Sequence, residues 1–274
     1  MNGFNAIINR KYRKLRGDNM PVSDKIKASA GIGNAKVDTY IEEVKVRQGT
    51  PISGEVYVLG GESEQTVKGI YLSVMTSVLT KKAGKKTMEE VEVQRIKASG
   101  KFTVASNEEK TIPFSFYLTP ETPMTVKRIE VWIKTKLDVD FQCDPRDKNY
   151  IQVVGTEAAE KILFAVQQLD FSIKKVTNLK SHRTSSGVIQ EFEFYTGRRF
   201  KRDFEELELV LLSDSLGTAA FFKLAVNEIG KKHLLAHSLD KAETELVLNY
   251  RYGDVPAHNV VENHVYDLLL RKAR

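Results

Sequence analysis

The chain has 274 residues, of which 41% are hydrophobic and 28% charged, and its formal net charge is +6. This composition excludes collagenous, low-complexity and fully disordered proteins. Its single cysteine, Cys143, excludes an intramolecular disulfide framework. The apolar runs are far shorter than the ~20 residues of a membrane-spanning helix, and no signal peptide is recognisable. We therefore expect a cytoplasmic protein of about two domains.

Residues 1–21 form a basic leader. Its five basic residues and one acidic residue supply +4 of the net charge. Because the excess charge lies in this leader rather than in a folded unit, we do not expect a nucleic-acid partner. The leader could rest on an anionic membrane surface, since its apolar residues lie near one face of a helix; a solvated tail is the alternative. Those apolar residues are Phe4, Ile7, Ile8, Tyr12 and Leu15.

Residues 22–155 are predicted to form a sandwich of antiparallel sheets. A helical pattern over Val22–Ala30 gives way to alternating apolar and polar residues, which is typical of strands with one buried face. Pro113 interrupts one such segment and predicts an edge strand or a bulge. The predicted strands are Ala35–Glu43, Ser53–Leu59, Thr66–Lys81, Met88–Lys97, Lys101–Val104, Lys110–Leu118, Val126–Asp138 and a last one within residues 144–154.

Residues 156–170 are predicted to form a helix that connects this unit to a second one. Thr156 is a suitable N-cap, and Glu157 and Glu160 favour the positive end of a helix. Residues 171–274 are predicted to be a second β-sandwich-like unit that ends in a helix starting near Pro256. The fold class is therefore mainly β, with two sandwich-like units joined by a helix.

The segment Ser213–Gly217 is the sharpest enzymatic candidate. It resembles the nucleophile block of GDSL-type esterases, with Ser213 in place of the glycine and Ser215 as the nucleophile. A serine nucleophile needs a histidine base and an aspartate to orient it. The nearest pair, Asp254 and His258, is spaced one residue too far for that family's pattern. A polar turn explains the segment more simply, so we do not expect an enzyme, and a serine hydrolase is the alternative.

No cofactor or metal site is predicted. Gly31–Gly33 begins like a dinucleotide-binding loop, but Lys36 occupies the third glycine position and a strand follows instead of a helix. His233 and His237 are four residues apart and have no third ligand in a recognisable motif. Cys143 is interpreted as a structural thiol.

Arg198, Arg199, Lys201 and Arg202 form the densest basic cluster outside the leader. They follow Gly197 at a predicted strand connection. Such a cluster can dock an acidic partner or an anionic lipid surface. The alternative is a solvated loop whose charge is balanced by Asp203, Glu205 and Glu206.

Three stretches, Ala28–Thr39, Ile112–Leu118 and Asp144–Val153, together resemble the bacterial stage-zero sporulation-control protein M family. Glu191–Phe194 and Phe204–Leu209 are similar to the C-terminal half of that family, so the resemblance covers about residues 22–274. It implies an arrestin-like fold for the N-terminal half and a non-enzymatic regulator that acts through protein contacts.

The sequence thus predicts a regulatory or scaffold protein whose partners are other proteins, which can bind the open edges of its sheets. A peripheral membrane adaptor that uses the leader and residues 198–202 is the alternative. A second copy of the chain is a further candidate partner.

Overall fold

The computed structural model describes residues 35–139, 148–225 and 246–273. In chain order, its elements are β1 Lys36–Ile41, β2 Lys45–Arg47, β3 Pro51–Leu59, β4 Gln65–Lys82, β5 Lys85–Ser99, β6 Phe102–Val104, β7 Glu109–Tyr117, β8 Val131–Val139, β9 Asn149–Val154, α1 Glu157–Gln168, β10 Ser172–Lys180, β11 Val188–Tyr195, β12 Glu206–Ser213, β13 Gly217–Ala225, β14 Leu246–Arg251 and α2 His258–Ala273.

The N-terminal half is a sandwich of two sheets. A three-stranded sheet in the order β1-β3-β7 faces a six-stranded sheet in the order β2-β9-β8-β4-β5, with β6 paired to β4. Every second residue of β3 is buried, as expected for a strand that has one face toward the core and the other toward solvent. The side chains that meet between the sheets include Val56, Val58, Ile70, Leu72, Val74, Phe114 and Ile133.

Pro113 lies in β7, at the edge of the three-stranded sheet, so the predicted edge position is confirmed. The predicted strand over Val126–Asp138 is wrong at its start, because the chain turns there before β8 begins. Lys127 has a φ of 59°, and Ile129 donates its N–H to the carbonyl of Val126 at 3.1 Å. The sequence did not predict β2, which pairs in parallel with β9.

The C-terminal half is a five-stranded antiparallel sheet in the order β10-β11-β12-β13-β14. The predicted fold class, mainly β with a connecting helix and a C-terminal helix, is confirmed. In place of a second sheet, however, α1 and α2 cover one face of this sheet. Their shared core contains Ile162 and Val166 of α1, Val265 and Leu269 of α2, and Phe192, Phe194, Leu207, Leu209 and Phe222 of the strands.

Helix α1 begins where the sequence predicts. The side chain of Thr156 accepts a hydrogen bond from the N–H of Ala159 at 3.2 Å, which is the N-cap geometry. The C-terminal helix begins at His258, two residues after Pro256. The predicted leader, the helix over Val22–Ala30, Gly31–Gly33, Cys143, His233 and His237 lie outside the described residues.

Buried polar side chains join the two halves. Gln48, beside β2, donates to the carbonyl of Thr122 at 2.5 Å and accepts from the N–H of Thr156 at 3.0 Å. The hydroxyl of Thr156 in turn lies 2.8 Å from that of Thr218 in β13. Since a buried polar group that loses its partner costs about 1–3 kcal/mol, these bonds fix how the sandwich meets the C-terminal sheet.

Candidate partner-binding site

The segment Gly197–Phe204, here called the basic turn, connects β11 to β12. Its anchor is Phe200, whose side chain is buried although its four neighbours in the cluster are exposed. The ring of Phe200 stacks on Phe171 at 5.2 Å and lies 6.2 Å from the ring of Tyr266 in α2. Burial of one large aromatic ring therefore ties the turn to the core that α2 covers.

Backbone contacts hold the start of the basic turn against Asp170. The N–H of Arg198 donates to Oδ2 of Asp170 at 2.8 Å. A Cβ added at Gly197 would lie 2.1 Å from the carbonyl oxygen of Asp170, so this close approach requires glycine. Within the turn, the N–H groups of Asp203 and Phe204 both donate to the carbonyl of Phe200 at 2.9 Å. The turn is thus fixed in the free protein.

The cluster predicted from the sequence is brought together on this turn. Arg198, Arg199, Lys201 and Arg202 are all exposed, and the guanidinium of Arg199 lies 4.4 Å from the centre of the Tyr266 ring. A cation–π contact of this kind positions Arg199 without neutralising its charge.

The acidic residues expected to balance the cluster lie close to it in the sequence but make no ion-pair contact with it in the described part of the structure. Within the described part of the chain, no ion pair joins Asp203, Glu205 or Glu206 to the four cations. Glu206 instead pairs with Lys174 of β10, and this hydrogen bond raises the pKa of the Lys174 ammonium. Among the described residues, the basic turn therefore presents four exposed positive charges that have no ion-pair partner.

The hydrolase candidate is built as a turn. Oδ1 of Asp214 accepts from the N–H groups of Leu216 at 2.7 Å and Gly217 at 3.0 Å, which closes the connection between β12 and β13. Ser213 is buried, and its hydroxyl lies 2.9 Å from that of Thr218. Ser215 is exposed and makes no hydrogen bond to a histidine among the residues that the structure describes.

Two histidines near the C-terminal helix have other contacts. His258 packs edge-on against Phe164 of α1, with ring centres 5.0 Å apart. Nδ1 of His264 lies 2.8 Å from the hydroxyl of Tyr250. Across residues 35–139, 148–225 and 246–273, no cluster of three or more potential metal ligands occurs, and no helix is long and apolar enough to cross a membrane.

The structure reveals a second basic group that the sequence reasoning missed. Lys81, Lys82, Lys85 and Lys86 surround the Ala83-Gly84 turn between β4 and β5, and all four are exposed. This group could have been predicted from the sequence, because a Lys-Lys pair stands on either side of the Ala83-Gly84 turn.

The fold and this surface define a class: a mainly β protein with a two-sheet sandwich, a helix-covered second sheet and an exposed basic turn. The Spo0M family model, described as SpoOM protein, matches residues 24–225. The chain therefore belongs to the Spo0M family, as its resemblance implied.

Two similar proteins support this assignment. Sporulation-control protein spo0M of Bacillus subtilis (strain 168) is 28% identical over 248 residues, which cover 89% of this chain and 96% of that protein. The crystal structure of Spo0M from Bacillus subtilis superimposes with a TM-score of 0.79 at 27% identity, covering 88% of this chain and all of that one. The similarity thus extends through both halves of the molecule.

Proposed function

We propose that this protein is a non-enzymatic regulator, of the sporulation-control kind, that binds an acidic segment of a partner protein through the basic turn. The observation that carries the proposal is the set of four exposed cations without carboxylate partners among the described residues, on a turn anchored by Phe200. The homology to a sporulation-control protein supports the regulatory role.

The composition of the basic turn favours carboxylates as ligands. Three of its four cations are arginines, whose planar guanidinium groups can each bind a carboxylate through two parallel hydrogen bonds. A rigid turn loses little conformational freedom when it binds, so more of the electrostatic attraction contributes to affinity. Complementary charge also accelerates association and makes it sensitive to salt.

The test compares partner capture by the full chain and by a variant with Arg198→Gln and Arg202→Gln, in a lysate of the source cell. A photo-cross-linking residue at position 201 identifies the captured segment by mass spectrometry. We expect an acidic segment whose capture falls at least tenfold in the variant and also falls as salt increases. The charge-matched control is Lys97→Gln with Lys101→Gln, at exposed positions far from the turn.

Equal capture by the two variants, or a cross-linked segment without acidic residues, would contradict the proposal. A fluorophosphonate probe checks the enzymatic alternative separately. Labelling of Ser215 would support a serine hydrolase, whereas we expect none.

A further inference from the structure

The hairpin of β4 and β5 extends well beyond the sheet to which it belongs. Strand β8 pairs with β4 only as far as Thr76, whereas β4 and β5 stay paired to Lys82 and Lys85. Residues 77–90 therefore form a two-stranded ribbon, here called the lysine ribbon. Six further residues of β4 at 3.3 Å each give it a length of roughly 20 Å.

The base of the lysine ribbon is fixed to the C-terminal half. Leu79 packs against a small core of Leu179, Ile189 and Val210. Near it, Glu89 of β5 pairs with Lys180 of β10 at 2.8 Å. A ribbon held at its base presents its tip in a defined direction.

The tip concentrates like charges that the fold does not need. Lys81 lies directly opposite Lys86, and Lys82 lies directly opposite Lys85. Like charges at directly opposed positions destabilise a strand pair. Among the described residues, Glu89 alone forms an ion pair with one of the four lysines, at 3.4 Å from Lys82.

The four lysines surround the tip instead of forming one flat face. Successive side chains of a strand point to opposite faces. Lys81 and Lys86 therefore share the face of Leu79, and Lys82 and Lys85 share the face of Val78, which belongs to the sandwich core. Charges on both faces can bind one partner together only if the ribbon meets it end-on.

We propose that the tip of the lysine ribbon docks end-on to the anionic surface of a lipid bilayer. Such a surface is an extended sheet of negative charge, which all four lysines can reach at once. Lysine is a compact point charge on a flexible stem and suits such a diffuse field, whereas the arginine-rich basic turn suits discrete carboxylates. Met88, 62% exposed on the face of Lys86, adds an apolar group beside the charges.

The test is co-sedimentation of the full chain with vesicles of 30% phosphatidylserine in phosphatidylcholine, compared with vesicles of phosphatidylcholine alone. Each lysine neutralised at the tip should lower the partition coefficient about fivefold. Lys85→Gln with Lys86→Gln should therefore lower it about 25-fold, and substitution of all four lysines by glutamine should lower it about 600-fold. Neutral vesicles should not bind the protein.

The matched control is Lys97→Gln with Lys101→Gln, which removes the same charge at exposed positions near the other end of β5. Because the leader is unchanged in every variant, its contribution cancels, and we expect this control to bind within about twofold of the parent chain. Thermal unfolding of each variant verifies that the fold is retained.

Three outcomes would overturn the proposal: no binding of the parent chain to anionic vesicles, equal losses in the tip and control variants, or tip-dependent binding of soluble polyglutamate without binding of vesicles. The proposal is independent of the proposed function. Arg198→Gln with Arg202→Gln should lose the protein partner yet bind vesicles within about twofold of the parent chain.

Discussion

The side chain of Gln190 binds the backbone of Met124 through both ends of its amide. Nε2 donates to the Met124 carbonyl at 2.9 Å, and Oε1 accepts from the Met124 N–H at 3.1 Å. Gln190 lies in β11, whereas Met124 lies in the connection before β8, and both residues are buried. One side chain of the C-terminal sheet thus satisfies two backbone groups that precede the last strands of the sandwich.

Replacing Gln190 with alanine should lower the free energy of unfolding by about 2–4 kcal/mol, because the buried N–H of Met124 and the buried Oδ1 of Asn178 both lose their partners. The Met124 carbonyl keeps a partner, since it also accepts the N–H of Val126 at 3.0 Å. Urea denaturation measures the change. Gln94 provides a matched control, since it binds the carbonyl of Tyr117 at 2.9 Å and the N–H of Thr119 at 3.0 Å in the same way nearer the surface. Gln94→Ala should cost no more than about 1 kcal/mol, and equal losses would contradict the importance of burial.

Replacing Gly197 with alanine should distort the basic turn, because the new Cβ would meet the carbonyl oxygen of Asp170. We expect a loss of about 1–3 kcal/mol in the free energy of unfolding, together with weaker capture of the acidic partner. Gly100→Ala is the control, since no atom lies within 4 Å of its added Cβ. That change should be neutral or stabilising by up to about 1 kcal/mol, and the prediction fails if the two variants behave alike.

Replacing Ala83 with asparagine should stabilise the lysine ribbon. Ala83 has a φ of 50° and Gly84 a φ of 77°, and Asn-Gly is the sequence that a two-residue turn with these angles favours. We expect a gain of about 0.5–1 kcal/mol, measured by thermal unfolding. Asn107, with a φ of 57°, is the reverse case. Asn107→Ala should lose a similar amount, and a loss of stability on Ala83→Asn would contradict the turn geometry.

The phenol of Tyr57 should ionise at a higher pH than an ordinary tyrosine. Its hydrogen bond to the carboxylate of Glu55 is the main cause that raises the pKa of Tyr57 from 10.0 to about 12, and burial adds to it. Because this pKa is raised in the folded state, the bond stabilises the fold fully below pH 10 and is lost as the pH rises to about 12.

Phenolate absorbance, compared between the parent chain and Tyr57→Phe, isolates this ionisation. Glu55→Gln removes the negative charge, so the pKa of Tyr57 should move back toward 10.0. A midpoint near 10 in the unmodified chain would show that the hydrogen bond does not form.

Most strands could be predicted from the sequence because their alternation is local. In β3, the alternating apolar residues Ile52, Val56 and Val58 are all buried in the structure. By contrast, β2 has three residues and is a strand only because it pairs with β9, more than 100 positions later. The sequence also predicted that the C-terminal unit is rich in strands, but their pattern carried no information that helices rather than a second sheet would cover one face.

The candidate site could be predicted in part for the same reason. The arginine and lysine residues of the basic turn are close together in the sequence, so its charge can be predicted directly. Its rigidity depends on Asp170 and Tyr266, which lie about 30 and 65 positions away from the turn and contact it only after folding. The lysine ribbon was missed although its signal is local, because the length of the hairpin beyond β8 is a property of the assembled sheet.

Strand β10 reaches from one cationic group toward the other. Asp170 lies just before β10, and its side chain accepts a hydrogen bond from the backbone N–H of Arg198. Lys180 is the last residue of β10 and forms an ion pair with Glu89 of the lysine ribbon. The nine residues of β10 are extended and span roughly 26 Å from Ser172 to Lys180, and such a span is stiff. Under the two proposals above, this strand sets the distance between an acidic partner at the basic turn and a bilayer at the lysine ribbon.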